Sequence, residues 1–283
     1  MSHLTRVHRR LLRQLVVLAV LIVCITLISV PFLWLISTSL KIPQEMRLRD
    51  LHWIPQNITF ENYRKVLFDT PVPTYLQNSL LVSTGTSISA VVLTSLAAYA
   101  LSRFRFRGKG MYILFILTSQ MFPAALFLVP LFIVLKTYHL INTDWGLVVA
   151  YSTFAVPFCT WVLKGYFDSI PIELEESALT EGANRIQVLR YVTIPLAAPG
   201  MAATILFAFL MAWQEFLFAF TFVQSNAQRT LPPGVGLLYS FGLGAEYGQM
   251  MVTSAVMTAP VVILFIFLQR YIVQGLTAGA LKG

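Results

Sequence analysis

Residues 176–195 read ESALTEGANRIQVLRYVTIP, a polar stretch set between long apolar segments. Short loops between membrane helices carry whatever is soluble. This one instead has the make-up of an amphipathic helix, a break at Gly182 and a second helix, which suits docking to a soluble partner. With Glu173 and Glu175 just ahead of it, the segment gathers four of the chain's 12 acidic residues, so its charge is unlike that of its flanks.

Outward from this segment the chain is apolar. Of 283 residues 57% are hydrophobic and 11% charged, against about 45–50% and about 25% in soluble domains. About 20 apolar residues cross a hydrocarbon core of about 30 Å, and six segments reach or approach that length: 15–40, 78–102, 111–136, 146–163, 199–223 and 250–269. The expected fold is therefore all-α and polytopic, six transmembrane helices in a single transmembrane domain over residues 1–283, with a cytoplasmic segment at 173–195. The fourth span is interrupted by Ser152, Thr153, Pro157 and Thr160, residues that helices facing other helices tolerate. The first is read as a retained helix, because a cleaved signal has an apolar core of only about 7–15 residues.

Lys and Arg in alternate loops set the orientation. The loops on the side of both termini and of residues 164–190 hold 13, and those on the other side hold 7. Both termini and the opening segment are thus expected to face the cytoplasm, and so is the docking partner. The longest external connection, 41–77, carries Pro43, Pro55, Pro71 and Pro73, and its residues 57–63 suggest a short amphipathic helix on the bilayer surface.

Several functions are excluded. The net charge of +8 is scattered in short clusters, without the continuous basic face that nucleic acid requires. Cys24 and Cys159 lie in apolar runs, as packed thiols rather than metal ligands or a disulfide pair. Gly108-Lys109 is followed by Gly110, and position 103 is arginine, so there is no phosphate-binding loop and no ATP hydrolysis by that route. His3, His8, His52 and His139 are dispersed, and no nucleophile elbow occurs, so neither metal nor nucleophilic catalysis has support. No internal repeat is evident, which weighs against a secondary transporter built from inverted halves.

Within the opening segment, Ala178 is small enough to let a helix lie close to a partner. Gly182 permits a backbone turn denied to other residues, and Pro195 is expected to stop the second piece before the fifth span. Glu173, Glu175, Glu176 and Glu181 favour the helix start and offer charge to Arg or Lys on a partner. A loop lying on the lipid surface is the alternative, but anionic headgroups repel these carboxylates. In the spans, Ser83, Gly85, Ser87 and Ser89 form a close-packing stripe. Trp34, Trp53, Trp145 and Trp161 sit near segment ends as interface anchors.

The run Glu176-Ser177-Ala178-Leu179-Thr180-Glu181-Gly182-Ala183, with nine residues after Gly182 before Val192-Thr193-Ile194-Pro195, is similar to the cytoplasmic signature E-A-A-x-x-D-G-A…I-x-L-P of ABC importer permeases. The departures (Ser177, Glu181, Val192, Ile194) are conservative in size or charge. Residues 55–63, Asn78-Ser79, 97–103, 212–216 and 269–283 also resemble the carbohydrate branch of that family. The resemblance implies the type I importer permease fold and a heterodimer with a second homologous permease. It implies a dimeric cytoplasmic ATPase, which uses ATP and Mg while this chain binds no cofactor, and an external solute-binding protein that delivers sugar. It makes residues 173–195 the coupling helix held by the ATPase. The tail, a thin peptide with Thr277, Gly279, Lys282 and Gly283, resembles that of maltose permeases and implies a further ATPase contact.

Glu215 is the sole acid placed inside a span, and an intramembrane charge is a functional candidate. With Trp213 and Gln214 it offers stacking and hydrogen bonding to a sugar in the translocation path; a carboxyl bonded across a helix interface is the structural alternative. The leading expectation is an ATP-driven importer subunit for a carbohydrate or related polyol. A glycerol phosphate importer is the other substrate class, although the spans show no Arg or Lys cluster for phosphate. An ion-coupled transporter, for which Glu215 is thin support, and an uncoupled channel or scaffold, which leaves the docking segment unexplained, are the rival classes.

Overall fold

The computed structural model describes residues 2–46, 52–240 and 247–280. They fall into two units, residues 1–70 with 242–256, and residues 71–241 with 257–283.

In the first unit, α1 (Ser2–Ser39) is lined by exposed Leu, Val and Ile from Leu12 onward, a surface suited to lipid. Its C-terminal end is tied into the external connection. The buried Asn62 amide donates to the Ser39 and Lys41 carbonyls, each at 2.9 Å, which satisfies acceptors that a helix end leaves orphaned. Glu45 accepts from the Asn57 N–H at 2.7 Å, and Trp34 meets Trp53 edge-on at 5.0 Å. Residues 57–63 do not form the expected surface helix. Ile58 bridges to Lys41 in extended backbone, which takes residues 57–60 out of the helix and leaves Glu61–Arg64 α-helical.

The second unit is built on α2 (Val72–Arg103), α5 (Asp144–Asp168) and α8 (Ala198–Trp213). Between α2 and α8 in chain order come α3 (Lys109–Ser119), α4 (Leu128–Thr137), α6 (Ile172–Thr180) and α7 (Arg185–Val188). After α8 come α9 (Leu217–Phe222), α10 (Leu231–Ser240) and α11 (Tyr247–Ala280), the last of which runs across both units. Lipid offers no hydrophobic drive between helices, so small residues and hydrogen bonds bring them together. Ala90, Ala155, Cys159 and Ala208 pack in one cluster. Ser89 and Ser152 share a 2.6 Å hydrogen bond, and Ser87 reaches the Ile205 carbonyl at 3.4 Å. The stripe on α2 is thus a packing face. Cys159 is buried there, whereas Cys24 is exposed on α1 instead of packed.

Among the described residues four helices are long and apolar enough to cross a membrane, and the number rises to six if each of two bent pairs is one span. The fourth span, despite Pro157, is continuous and longer than expected. Thr143 caps its start by accepting from the Gly146 N–H at 3.1 Å, and Ser152, Thr153 and Thr160 bond back to carbonyls four residues earlier. A Cβ at Gly146 would lie 2.1 Å from the Leu140 carbonyl oxygen. Gly146→Ala is therefore expected to lower stability by about 1–3 kcal/mol as the turn is forced open, read as a reduced melting midpoint in detergent.

Two spans differ from expectation. The third is broken between α3 and the 3-10 turn Ala124–Phe127, with a 101° bend, because Pro123 has no N–H to continue the ladder. The fifth ends its first part at Trp213 and restarts at Leu217. Its 16-residue α8 rises only about 24 Å at 1.5 Å per residue, and it reaches spanning length only when taken with the bent segment Arg185–Leu196 before it. The sixth, in α11, extends to Ala280.

Candidate coupling segment

The segment after α5 has the expected helix, glycine break and second helix, and the hydrogen bonds explain each. At the end of α6, Gly182 adopts φ +95°. Its N–H donates to the Leu179 carbonyl and the Ala183 N–H to the Ala178 carbonyl, both at 3.1 Å. This is the Schellman closure, which needs a left-handed residue at Gly182. Two residues on, Asn184 and Gln187 form a reciprocal capping box at 3.0 and 2.8 Å that starts α7. The helix then widens into a π turn, Leu189–Thr193, and one α turn, Ile194–Leu196. Pro195 lies inside that turn, and the chain bends by 85° at Ala197, two residues past the expected stop. Pro195 lacks an N–H but its φ suits the first turn of a helix, so it is accommodated there.

On α6 one carboxylate is buried, whereas apolar side chains are exposed alongside Glu173 and Glu176. Glu175 is 1% exposed, while Ile172 and Leu174 are exposed, as are Ile186 and Tyr191 beyond the turn at 74% and 67%. Glu176, Ser177, Glu181 and Gly182 are also exposed, and Ala178 and Ala183 are half-buried. Ala178, Glu181, Gly182, Ala183, Tyr191 and Val192 are among the residues lining a hollow of about 410 Å³. Nothing lies within 4 Å of where a Gly182 Cβ would stand, so this glycine serves the backbone turn and leaves the hollow open.

Glu175 was grouped by sequence with the partner-facing carboxylates, and the structure corrects this. Arg103 Nη2 and Nε approach its Oε1 at 2.8 and 2.9 Å, Thr193 donates to the same oxygen at 2.8 Å, and the Tyr99 hydroxyl reaches Oε2 at 3.3 Å. Arg103 also donates to Ser102 Oγ and to the Ile170 carbonyl, and Ser102 donates to Asp168, which pairs with Lys164. Around this network Ala98, Tyr99, Leu163, Phe167, Ile170, Leu189 and Ala197 form one buried cluster. Sequence reading missed the roles of Tyr99, Arg103 and Thr193. No local signal marked them, since the partners of Glu175 lie 18 to 76 residues away in sequence.

The three path candidates separate. Trp213 is buried and stacked on Phe209 at 5.4 Å, Gln214 is exposed, and Glu215 is half-buried. Glu215 accepts from the Phe218 and Ala219 N–H groups at 2.9 and 3.1 Å and from the Tyr151 hydroxyl at 2.8 Å. It therefore caps α9 and pins the helix break to α5. Glu215→Gln leaves a donor facing donors, with an expected cost of about 1–3 kcal/mol. Uptake is expected to fall alike for every sugar; a change confined to one sugar would instead indicate direct contact.

Residues 90–278 match the family model described as binding-protein-dependent transport system inner membrane component. The chain belongs to this family. It is 36% identical over 255 residues to the trehalose/maltose transport system permease protein MalG of Thermococcus litoralis, covering 89% of this chain and 91% of that protein. It is 38% identical to the inner membrane ABC transporter permease protein YcjP of Escherichia coli, with the same coverage. The galactooligosaccharides transport system permease protein GanQ of Bacillus subtilis is 31% identical over 97% of this chain and 98% of its own length. The fold matches that in a crystal structure of a bacterial ABC transporter involved in the import of the acidic polysaccharide alginate. The TM-score is 0.76 and the identity 23%, over 91% of this chain and 95% of that one.

As a member of the family the chain is an inner-membrane permease component of an ABC importer, a transport subunit and not an enzyme. The tail was expected to be a thin flexible peptide, but α11 carries it as helix through Thr277 and Gly279. Lys282 and Gly283 lie outside the described residues.

Proposed function

We propose that this permease carries a carbohydrate, an oligosaccharide or related polyol, as one half of a heterodimer with a second homologous permease. A dimeric cytoplasmic ATPase docks on residues 173–195, and an external solute-binding protein presents the sugar. Both termini face the cytoplasm, as the 13 to 7 bias in Lys and Arg requires. ATP and Mg are used by the ATPase, and this chain binds no cofactor.

The observation that carries the docking is the exposure of the apolar Leu174, Ile186 and Tyr191 on this segment while Glu175 is buried, together with the open hollow at Gly182 that Tyr191 helps to line. Exposed apolar side chains rimmed by Glu176 and Glu181 suit a partner surface with an apolar centre and cationic edges. The named relatives handle trehalose, maltose and galactooligosaccharides, which supports the sugar class. The exposure of Gln214 beside the break in the fifth span supports it as the path residue that hydrogen-bonds a sugar.

Reconstitution in proteoliposomes with the partner permease, ATPase and binding protein tests the reading. Uptake of labelled maltooligosaccharide is expected only with ATP on the ATPase side. Uptake driven by an ion gradient without any ATPase would overturn it.

A further inference from the structure

One carboxylate joins three elements that leave the membrane at different points. Glu175 Oε1 receives Arg103 from the end of α2 and Thr193 from the π turn that leads into α8, and Oε2 receives Tyr99, one turn before Arg103. Arg103 in turn holds the Ile170 carbonyl at 3.2 Å, just past α5, and through Ser102 meets Asp168 at the last turn of α5. The ion pair is secluded, at 7% and 1% side-chain exposure, so water screens it little. A docking element needs no such connection merely to present a surface; the exposed turn at Gly182 does that by itself.

We propose that Glu175 is a positioning residue for energy coupling. It braces α6 to the ends of α2 and α5 and to the π turn before α8, so that a displacement imposed on the docking surface moves three spans together. The inference rests on the docking reading above. In its terms Glu176, Ser177, Glu181 and Gly182 make the contact, whereas Glu175, Arg103 and Thr193 pass the movement on. Removing the brace leaves the exposed surface in place and lets α6 move without α8.

Two variants test this without stranding a buried charge. Thr193→Val cuts only the link to the π turn, and Glu175→Gln with Arg103→Gln exchanges the ion pair for neutral amides. Each is assembled with permease partner, ATPase and binding protein in proteoliposomes, and sugar imported per ATP hydrolysed is measured per assembled complex. The expected result is normal ATPase retention with a roughly tenfold lower ratio, the factor that loss of one hydrogen bond to a charged group gives. An unchanged ratio in both variants overturns the proposal. Failure of both to retain the ATPase also overturns it, since the network would then serve folding alone. Absence of ATP-driven uptake by the wild-type assembly is a different failure, that of the docking reading itself.

Discussion

Arg103→Ala is expected to loosen the whole coupling segment, at a cost of about 3–5 kcal/mol, the usual effect of stranding one member of a buried ion pair. Glu175 is 1% exposed and takes two of its contacts from this guanidinium. Without Arg103 the buried carboxylate loses its counter-ion, and α6 is drawn toward water. The Ile170 carbonyl and Ser102 lose a donor in the same step. Hydrogen exchange of the detergent-solubilised protein reads the effect directly: amides of residues 172–196 are expected to lose protection while those at the centre of α5 keep it. Arg103→Lys should fall between, because an ammonium keeps the charge but not the planar fork that reaches Glu175, Ser102 and Ile170 together. Wild-type protection in Arg103→Ala would remove the brace from the account.

Gly182→Trp is expected to abolish ATPase retention while membrane insertion stays normal. Two effects add. The φ of +95° costs a non-glycine residue about 1–3 kcal/mol, and an indole would fill the hollow of about 410 Å³ that the turn leaves open. Gly182→Ala separates them, since it carries the backbone strain but little bulk, and should weaken retention only partly. The measurement is co-purification of the ATPase with tagged permease, alongside expression level in the membrane. Normal retention by Gly182→Trp would exclude this face as the docking surface.

How much of this was legible beforehand varies by element. Apolar run length is a one-dimensional property, so all six spans and their loops were visible. The breaks in the third and fifth were not, because Pro123 occurs in a run otherwise indistinguishable from a straight span, and the restart at Leu217 depends on a carboxylate folding back onto two amides. The helix, glycine break and second helix around Gly182 were readable since a Schellman closure and a capping box are local, spanning residues five and three apart. Glu175 was misread for the opposite reason. Its partners are 18 to 76 residues away, and nothing nearby in sequence marks it from Glu173 or Glu176.

The same division holds for Glu215. Its presence in a span announced a special role, and sequence offered sugar contact and helix pairing on equal terms; the three donors around it point to capping. Sequence by itself determined that the chain crosses the membrane, that the loop holding residues 173–195 belongs to the set richer in Lys and Arg, and that their turn requires a glycine, because each depends on composition or on neighbours within one or two helical turns. Only the tertiary structure decided which carboxylates are exposed and which hold the protein together. A charge becomes a brace or a contact according to what folding brings beside it.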